Sequence, residues 1–365
     1  MSPEIYHEND GNLTILEDKV IGMIGYGNQG RSQALNMRDY GLKVIVGNRD
    51  DDYKKRAEND GFETHDISET VKRADYLFFL LPDEFMKDVY YKEILPNLKE
   101  NQALIFASGY NIAFDLIQLP ENVDILLIAP RMIGIGVRER FLNKKGYFSF
   151  IGVHQNASGG AKEILLALAK GVGALSKAGI ETTFKQEVVL DLFTEQGYGP
   201  GFGQILMNSI KILVERGYPP EAVFVELIYS GEMSYTYEKM TEVGLVNQMN
   251  LHSKTSQYGS MSRAIKFKKV SKDIKELQKK VLDNIESGEF AKEWEGKWSK
   301  IKFKFLKFFR SKIAFSKLEK KARKNLNLPE FDLFAEIPYP REEKIERYEE
   351  IEKEIESFKE FYQDF

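Results

Sequence analysis

The chain contains no cysteine. That excludes a disulfide framework, a thiolate nucleophile and any cysteine-ligated metal. No apolar run approaches the roughly 20 residues that a membrane-spanning helix needs. The stretch from Met1 to Asn12 is polar and acidic rather than basic then apolar, so it does not read as a secretory signal. No internal repeat and no Gly/Ser-rich linker appears. The net charge is −4 over 365 residues, so no global field favours nucleic acid. The expectation is a soluble, cytoplasmic protein without nucleic-acid or membrane partners. Its length suffices for two domains. Scarce cysteine with abundant Lys, Glu, Tyr and Phe is a composition shared with thermophile proteins.

What is present is most specific near the start. An apolar run, Val20 to Ile24, ends in Gly25-x-Gly27-x-x-Gly30. An amphipathic stretch, Ser32 to Tyr40, follows, and a second apolar run, Lys43 to Gly47, closes the unit. This order reads as strand, glycine turn, helix, strand. In that frame Gly25 permits a tight turn, Gly27 lets backbone approach a pyrophosphate, and Gly30 lets helix pack on strand. The free N–H groups of the new helix then face an anion. Asp50, Asp51 and Asp52 follow about twenty residues on, where a carboxylate commonly binds the ribose 2′-OH of NAD. Arg49 suits a 2′-phosphate instead. The acids favour NADH, and NADPH stays open.

Apolar runs recur at Tyr76–Leu81, Ala103–Ala107, Ile125–Ala129 and Phe148–Val153, with helical patterns at Ser68–Arg73, Glu84–Leu95 and Ala161–Val172. The alternation predicts a mostly parallel, doubly wound Rossmann-type α/β sheet. Ligands of such sheets lie beyond the carboxyl ends of the strands. The residues after each run therefore become candidates: Asn48-Arg49-Asp50 and Pro82-Asp83 for binding the cofactor, Ser108-Gly109 and Pro130-Arg131 for catalysis. Beyond Phe184 the spacing turns helical, over Val188–Leu213 and Glu221–Met249. The expected domains are 1–184, α/β; 185–297, all-helical; and 298–365, a charged extension. In the last, a basic, Phe-bearing stretch from Trp298 to Lys324 precedes an acidic one from Pro329 to Phe365. The basic stretch could bind nucleic acid or an anionic membrane, but the overall acidity favours an amphipathic helix docked on a partner subunit or on the acidic tail.

Asp191 and Glu195 lie four apart, on one helix face. Carboxylate oxygens in a chain without cysteine suit Mg²⁺. A solvated acidic face is the competing reading. Glu226 and Glu232, on a later helix, are further candidate ligands, and Glu226 stands among apolar neighbours. His154 reads as structural; His252 adjoins Ser253.

Several segments together resemble the ketol-acid reductoisomerase (acetohydroxy acid isomeroreductase) family. They are Gly25-Tyr-Gly-Asn-Gln-Gly30, Ala34-Leu-Asn-Met-Arg-Asp39, Leu81-Pro-Asp-Glu84, Val153-His-Gln155, Ile180-Glu-Thr-Thr-Phe184, Asp191-Leu-Phe-Thr-Glu-Gln196, Ser253-x-Thr255-x-x-Tyr258-Gly259 and Ser287-Gly-Glu-Phe-Ala-Lys-Glu-Trp294. The similarity runs from about residue 12 to 296. It implies a Rossmann-type domain followed by a knotted all-α domain, and a homo-oligomer whose active sites draw on two subunits. It also implies a two-step reaction in isoleucine and valine biosynthesis. Mg²⁺ ions hold a 2-acetolactate-type substrate during alkyl migration, and NAD(P)H then reduces the 2-keto acid. By position, Asp191 and Glu195 correspond to metal ligands, Glu226 to a ligand from the partner and Ser253 to a substrate contact. Tyr26, Gly27, Asn28 and Gln29 correspond to the pyrophosphate turn, and Gly134 to a backbone contact near the nicotinamide.

Four positions depart from the family pattern. Ser108 stands where the family has histidine, and Arg131 where it has lysine. Met132-Ile-Gly-Ile135 replaces Gly-Pro-Gly-His, and Ser230 replaces a carboxylate. Serine does not titrate near neutrality, and arginine stays protonated. Glu232 lies about 200° from the expected position on a continuous helix and could serve only if the helix shifts or kinks near Gly231. The resemblance therefore implies the reductoisomerase reaction, and the departures open two alternatives. One is a 2-keto acid or imine reductase without migration. The other is a non-catalytic nucleotide-binding relative.

Overall fold

The computed structural model describes residues 2–312 and 314–328; the acidic segment 329–365 lies outside the described residues. The chain divides into two units, one ending at Asp191 and one beginning at Leu192.

The first unit is built on nine strands: β1 (Ile5–Tyr6), β2 (Val20–Ile24), β3 (Lys43–Gly47), β4 (Glu63–His65), β5 (Tyr76–Phe79), β6 (Ala103–Phe106), β7 (Asp124–Pro130), β8 (Phe148–Gln155) and β9 (Ala178–Glu181). They form one sheet in the order β1-β9-β8-β7-β6-β5-β2-β3-β4. Pairing is parallel except at β7/β8 and β1/β9. Three strands were not legible in the sequence: β1, β4 and β9. They have two to four residues, and none carries an apolar run.

From β2 the chain winds outward to β3 and β4, then returns to β5 on the other side of β2. The sheet's topological switch point therefore lies between β2 and β5, and a crevice opens over their carboxyl ends. Helices cover both faces, which is why the central strands read as unbroken apolar runs rather than alternating ones. Alternation is still present in space. Tyr76 and Phe78 of β5, Ala103 and Ile105 of β6, and Leu126 and Ile128 of β7 enter one core. Leu77 and Phe79, Leu104 and Phe106, and Ile125 and Leu127 enter the other. Burying each large side chain of this kind stabilises by roughly 1.5–3 kcal/mol.

The second unit is helical: Gly199–Glu215, Pro220–Phe224, Glu232–Val243, Lys254–Glu286, Glu289–Glu295, Lys297–Lys312 and Ala314–Asn325. Ile210, Val223, Phe224 and Ala322 make its core, joined by Phe315 and Leu318. Asn325 Nδ2 donates to Glu221 at 2.6 Å. The last helix thus packs on its own unit. The 33-residue helix Lys254–Glu286 buries only Gln257 and Ile285, and Ile265, Phe267 and Leu277 remain exposed. No described helix is long and apolar enough to cross a membrane.

Two glycines separate packing from access. A Cβ on Gly30 would sit 2.1 Å from the Gly25 carbonyl oxygen, whereas one on Gly27 meets nothing within 4 Å. Urea unfolding is expected to show Gly30→Ala losing about 1–3 kcal/mol. Gly27→Ala should lose under about 1 kcal/mol, the scale of a weakened helix cap.

Candidate active site

The glycine turn lies at the end of β2. Gly25 has φ +95°, and a side chain there would strike the Leu80 carbonyl oxygen at 2.8 Å. Gly27 caps the helix Asn28–Asp39, leaving open space over the first helical N–H groups. That is the form of an anion cradle. Tyr26 contributes backbone to the turn, but its side chain is buried and turned away. Its hydroxyl donates to Asp60 Oδ2 at 2.9 Å, and its ring meets Phe62 edge-on. Arg31 makes a bidentate pair with Asp60, at 2.7 and 3.1 Å. Arg31 hydrogen bonding holds the Asp60 carboxyl below its usual range, and burial and Asp60 push the Tyr26 hydroxyl up. The turn is thus pinned from behind. It is pinned from the side too: Gln29 Nε2 donates to the Met132 carbonyl at 3.0 Å. Gly134 packs so closely on Asn28 that a Cβ would come within 2.5 Å.

The loop after β3 sets its three acids apart. Asp51 caps the helix Asp52–Asn59, accepting from Tyr53 N and Lys54 N. It also accepts from Asn48 Nδ2 and from Arg49 Nε, both at 2.7 Å. Its carboxylate is committed to the protein. Asp50 is exposed, Asp52 pairs with Lys55, and the Arg49 side chain is 75 % exposed.

Beyond the ends of β5, β6 and β7, polar side chains converge. Arg131, just past β7, donates to Glu187 Oε1 at 2.9 Å and to Asp191 Oδ1 at 3.0 Å. Its guanidinium also lies over the Phe150 ring. The Glu187 side chain is only 1 % exposed, and its second oxygen accepts from Gly109 N at 2.6 Å. Burial raises its proton affinity, against the pull of Arg131. The Ser108 hydroxyl accepts from Tyr110 N at 3.2 Å. Asp83, half-buried at the start of the helix Asp83–Val89, accepts from Asn111 Nδ2 at 3.0 Å. Burial, with Glu84, Glu187 and Asp191 nearby, pushes its carboxyl up to about 7.

The remaining candidates belong to the second unit. Glu195 is exposed in a wide, π-type turn, Thr194–Tyr198, and Glu226 is exposed in another, Val225–Tyr229. Such turns are rare and recur at functional sites. The apolar setting expected for Glu226 is therefore a surface one, beside exposed Val225 and Ile228. The helix does break next to Glu232: Gly231 has φ +76°, and Glu232 starts a new helix. Ser253 caps the helix Lys254–Glu286, accepting from Ser256 N. His252 bonds Gln248, and in the first unit His154 lies edge-on to Phe184.

Sequence reasoning missed Glu187, Asn111 and Asp60. Glu187 had a signal, since it extends the Asp191/Glu195 spacing by one more step of four. The other two gain their partners only through tertiary packing.

Known proteins match both units. Residues 15–179 fit the acetohydroxy acid isomeroreductase NADPH-binding domain, and 184–327 the ketol-acid reductoisomerase C-terminal domain. The match thus runs some thirty residues past the end suggested by the sequence segments, through the last described helices. The chain is 44 % identical to a protein of Saccharolobus solfataricus named as ketol-acid reductoisomerase 3, over 78 % of this chain and 86 % of that protein. It is 42 % identical to a ketol-acid reductoisomerase (NADP(+)) of Petrotoga mobilis, over 80 % and 88 %. The solved structure of an NADH-preferring ketol-acid reductoisomerase from an uncultured archaeon superposes with TM-score 0.81 at 34 % identity, covering 88 % of this chain and 98 % of that one. With the nucleotide turn and the arginine–carboxylate cluster in place, the chain belongs to the ketol-acid reductoisomerase family, NAD(P)-dependent oxidoreductases of branched-chain amino-acid biosynthesis.

Proposed function

We propose that the chain performs both halves of the family reaction, alkyl migration in a 2-acetolactate-type substrate and reduction of the resulting 2-keto acid. The observation that carries this is Arg131, fixed between Glu187 and Asp191 beyond the same strand ends that carry the nucleotide turn. The guanidinium there holds the Asp191 carboxylate in place through a hydrogen bond at 3.0 Å.

Chemistry of the donors suits Mg²⁺: carboxylate oxygens, hard and anionic, without sulfur. Asp191 and Glu195 would hold it, and bound Mg²⁺ would supply Lewis-acid polarisation of adjacent substrate oxygens. Among the described residues no three acids or histidines gather into a metal-holding group. We infer that Glu226, and Glu232 beyond the break at Gly231, reach the site from a second copy of the chain. The exposed apolar residues of Lys254–Glu286 support such a homo-oligomer. Ser253, whose hydroxyl proton is not used in capping, is proposed to meet the substrate carboxylate.

For the cofactor, the turn from Gly25 to Gly30 receives the pyrophosphate on helix N–H groups. NADH and NADPH are both accepted, and Arg49, exposed although paired with Asp51 through Nε, favours the 2′-phosphate. Arg49→Glu is expected to weaken NADPH about tenfold, the loss of roughly 1.4 kcal/mol, and to leave NADH within about twofold. Fluorescence titration with both nucleotides reads this directly.

Turnover is checked by following NAD(P)H absorbance with Mg²⁺ and either 2-acetolactate or the already-isomerised 3-hydroxy-2-keto acid. Both substrates should be consumed, and chelation of Mg²⁺ should stop the first. Asp191→Asn should also weaken Mg²⁺ binding in calorimetry. Consumption of the isomerised acid alone would establish a reductase without migration. Silence with both, while nucleotide still binds, would establish a non-catalytic relative.

A further inference from the structure

Position 108 holds serine where the resemblance implies histidine, and neither a hydroxyl nor a guanidinium is a ready proton donor near neutrality. Reducing a keto group still needs one proton for the new alkoxide. Asp83 stands at the strand end next to the Ser108 loop: its helix follows β5, and that loop follows the adjacent parallel strand β6. Asn111, three residues past Ser108, donates to Asp83 Oδ1, which leaves Oδ2 to carry a proton.

The surroundings favour that proton. Glu84 shares the helix of Asp83, and Glu187 and Asp191 face it from the helix Phe184–Phe193. Arg131, the nearby cation, is shared by Glu187 and Asp191. Asp83 makes no salt bridge among the described residues. Three acids and partial burial raise the cost of a further negative charge. The carboxyl is accordingly pushed up to about 7, the range in which an imidazole works.

We propose that Asp83 is the proton donor for the reduction step, in the part an imidazole at position 108 would have played. The proposal rests on the reductase half of the function above. The substrate's carbonyl carbon gains a hydride from the reduced nicotinamide. Its oxygen takes the π electron pair and then the Asp83 proton. The nicotinamide leaves oxidised, and one hydronium proton from solvent restores the acid, so the reduction consumes one proton overall.

The test uses the full-length protein with Mg²⁺, NAD(P)H and the isomerised 3-hydroxy-2-keto acid, over pH 5.5 to 9. Wild-type kcat should fall as pH rises through about 7. Asp83→Asn should lower kcat about 100-fold or more, abolish that limb and leave the nucleotide Kd within about threefold. Adding Ser108→His to Asp83→Asn should restore part of kcat. A retained limb in Asp83→Asn overturns the proposal while the reductase reading stands. A raised nucleotide Kd with unchanged kcat overturns it in favour of a cofactor contact. A wild type that reduces neither substrate overturns both.

A second readout needs no turnover. A carboxyl with a raised folded-state pKa binds its proton more tightly folded than unfolded, so it costs stability progressively as pH rises from about 4 to about 7. The melting temperature of Asp83→Asn should therefore gain on wild type by a few degrees between pH 5 and pH 8. A difference that does not change with pH overturns the proposal.

Discussion

The buried carboxylate of Glu187 is the constraint on which the site depends. A charge at 1 % exposure is tolerated only with partners, and it has two: the Gly109 N–H and the Arg131 guanidinium. Removing one partner of a buried ion pair costs roughly 3–5 kcal/mol, because the other charge stays buried. That penalty ties the β6 loop, the end of β7 and the helix Phe184–Phe193 together. Packing reinforces it, since a Cβ on Gly109 would sit 2.1 Å from the Phe184 carbonyl oxygen. Asp191, one helical turn from Glu187, is held by the same arginine. Lysine at 131 would offer a point charge; arginine spans both carboxylates with its planar fork.

The nucleotide turn is fixed by a different principle, close approach of backbone. Gly25 and Gly30 have no room for side chains, while Gly27 has room that nothing in the chain fills. Around them, Tyr26, Arg31 and Asp60 form a hydrogen-bonded brace behind the turn, and Gln29 and Gly134 join it to the Arg131 loop. The cofactor cradle and the arginine–carboxylate cluster are thereby mechanically continuous. Each depends on loops at the carboxyl ends of parallel strands, where backbone N–H groups and side chains converge because the strands all point the same way.

Much of this is legible in the sequence. Long apolar runs predicted β2, β3, β5, β6, β7 and β8, because strands buried on both faces must be apolar throughout. The positions just after those runs, Asp83, Ser108 and Arg131, lie in the cluster. Illegible were elements whose stability comes from neighbours. β4 has no apolar residue, only Glu63, Thr64 and His65 hydrogen-bonded to β3. Asp50, Asp51 and Asp52 are alike in sequence, yet only Asp51 caps the following helix. Glu195 and Glu226 lie in wide turns that a 3.6-residue period does not show.

The sequence by itself determined the fold class, the nucleotide turn and the family, because glycine spacing and apolar periodicity are local and survive without coordinates. Tertiary structure alone decided the protonation chemistry. Whether Asp83 is acid or carboxylate depends on Asn111, Glu187 and Asp191, which lie 28 to 108 residues away in the chain. Electrostatic energy follows distance and burial in space, and neither can be read from order along the chain.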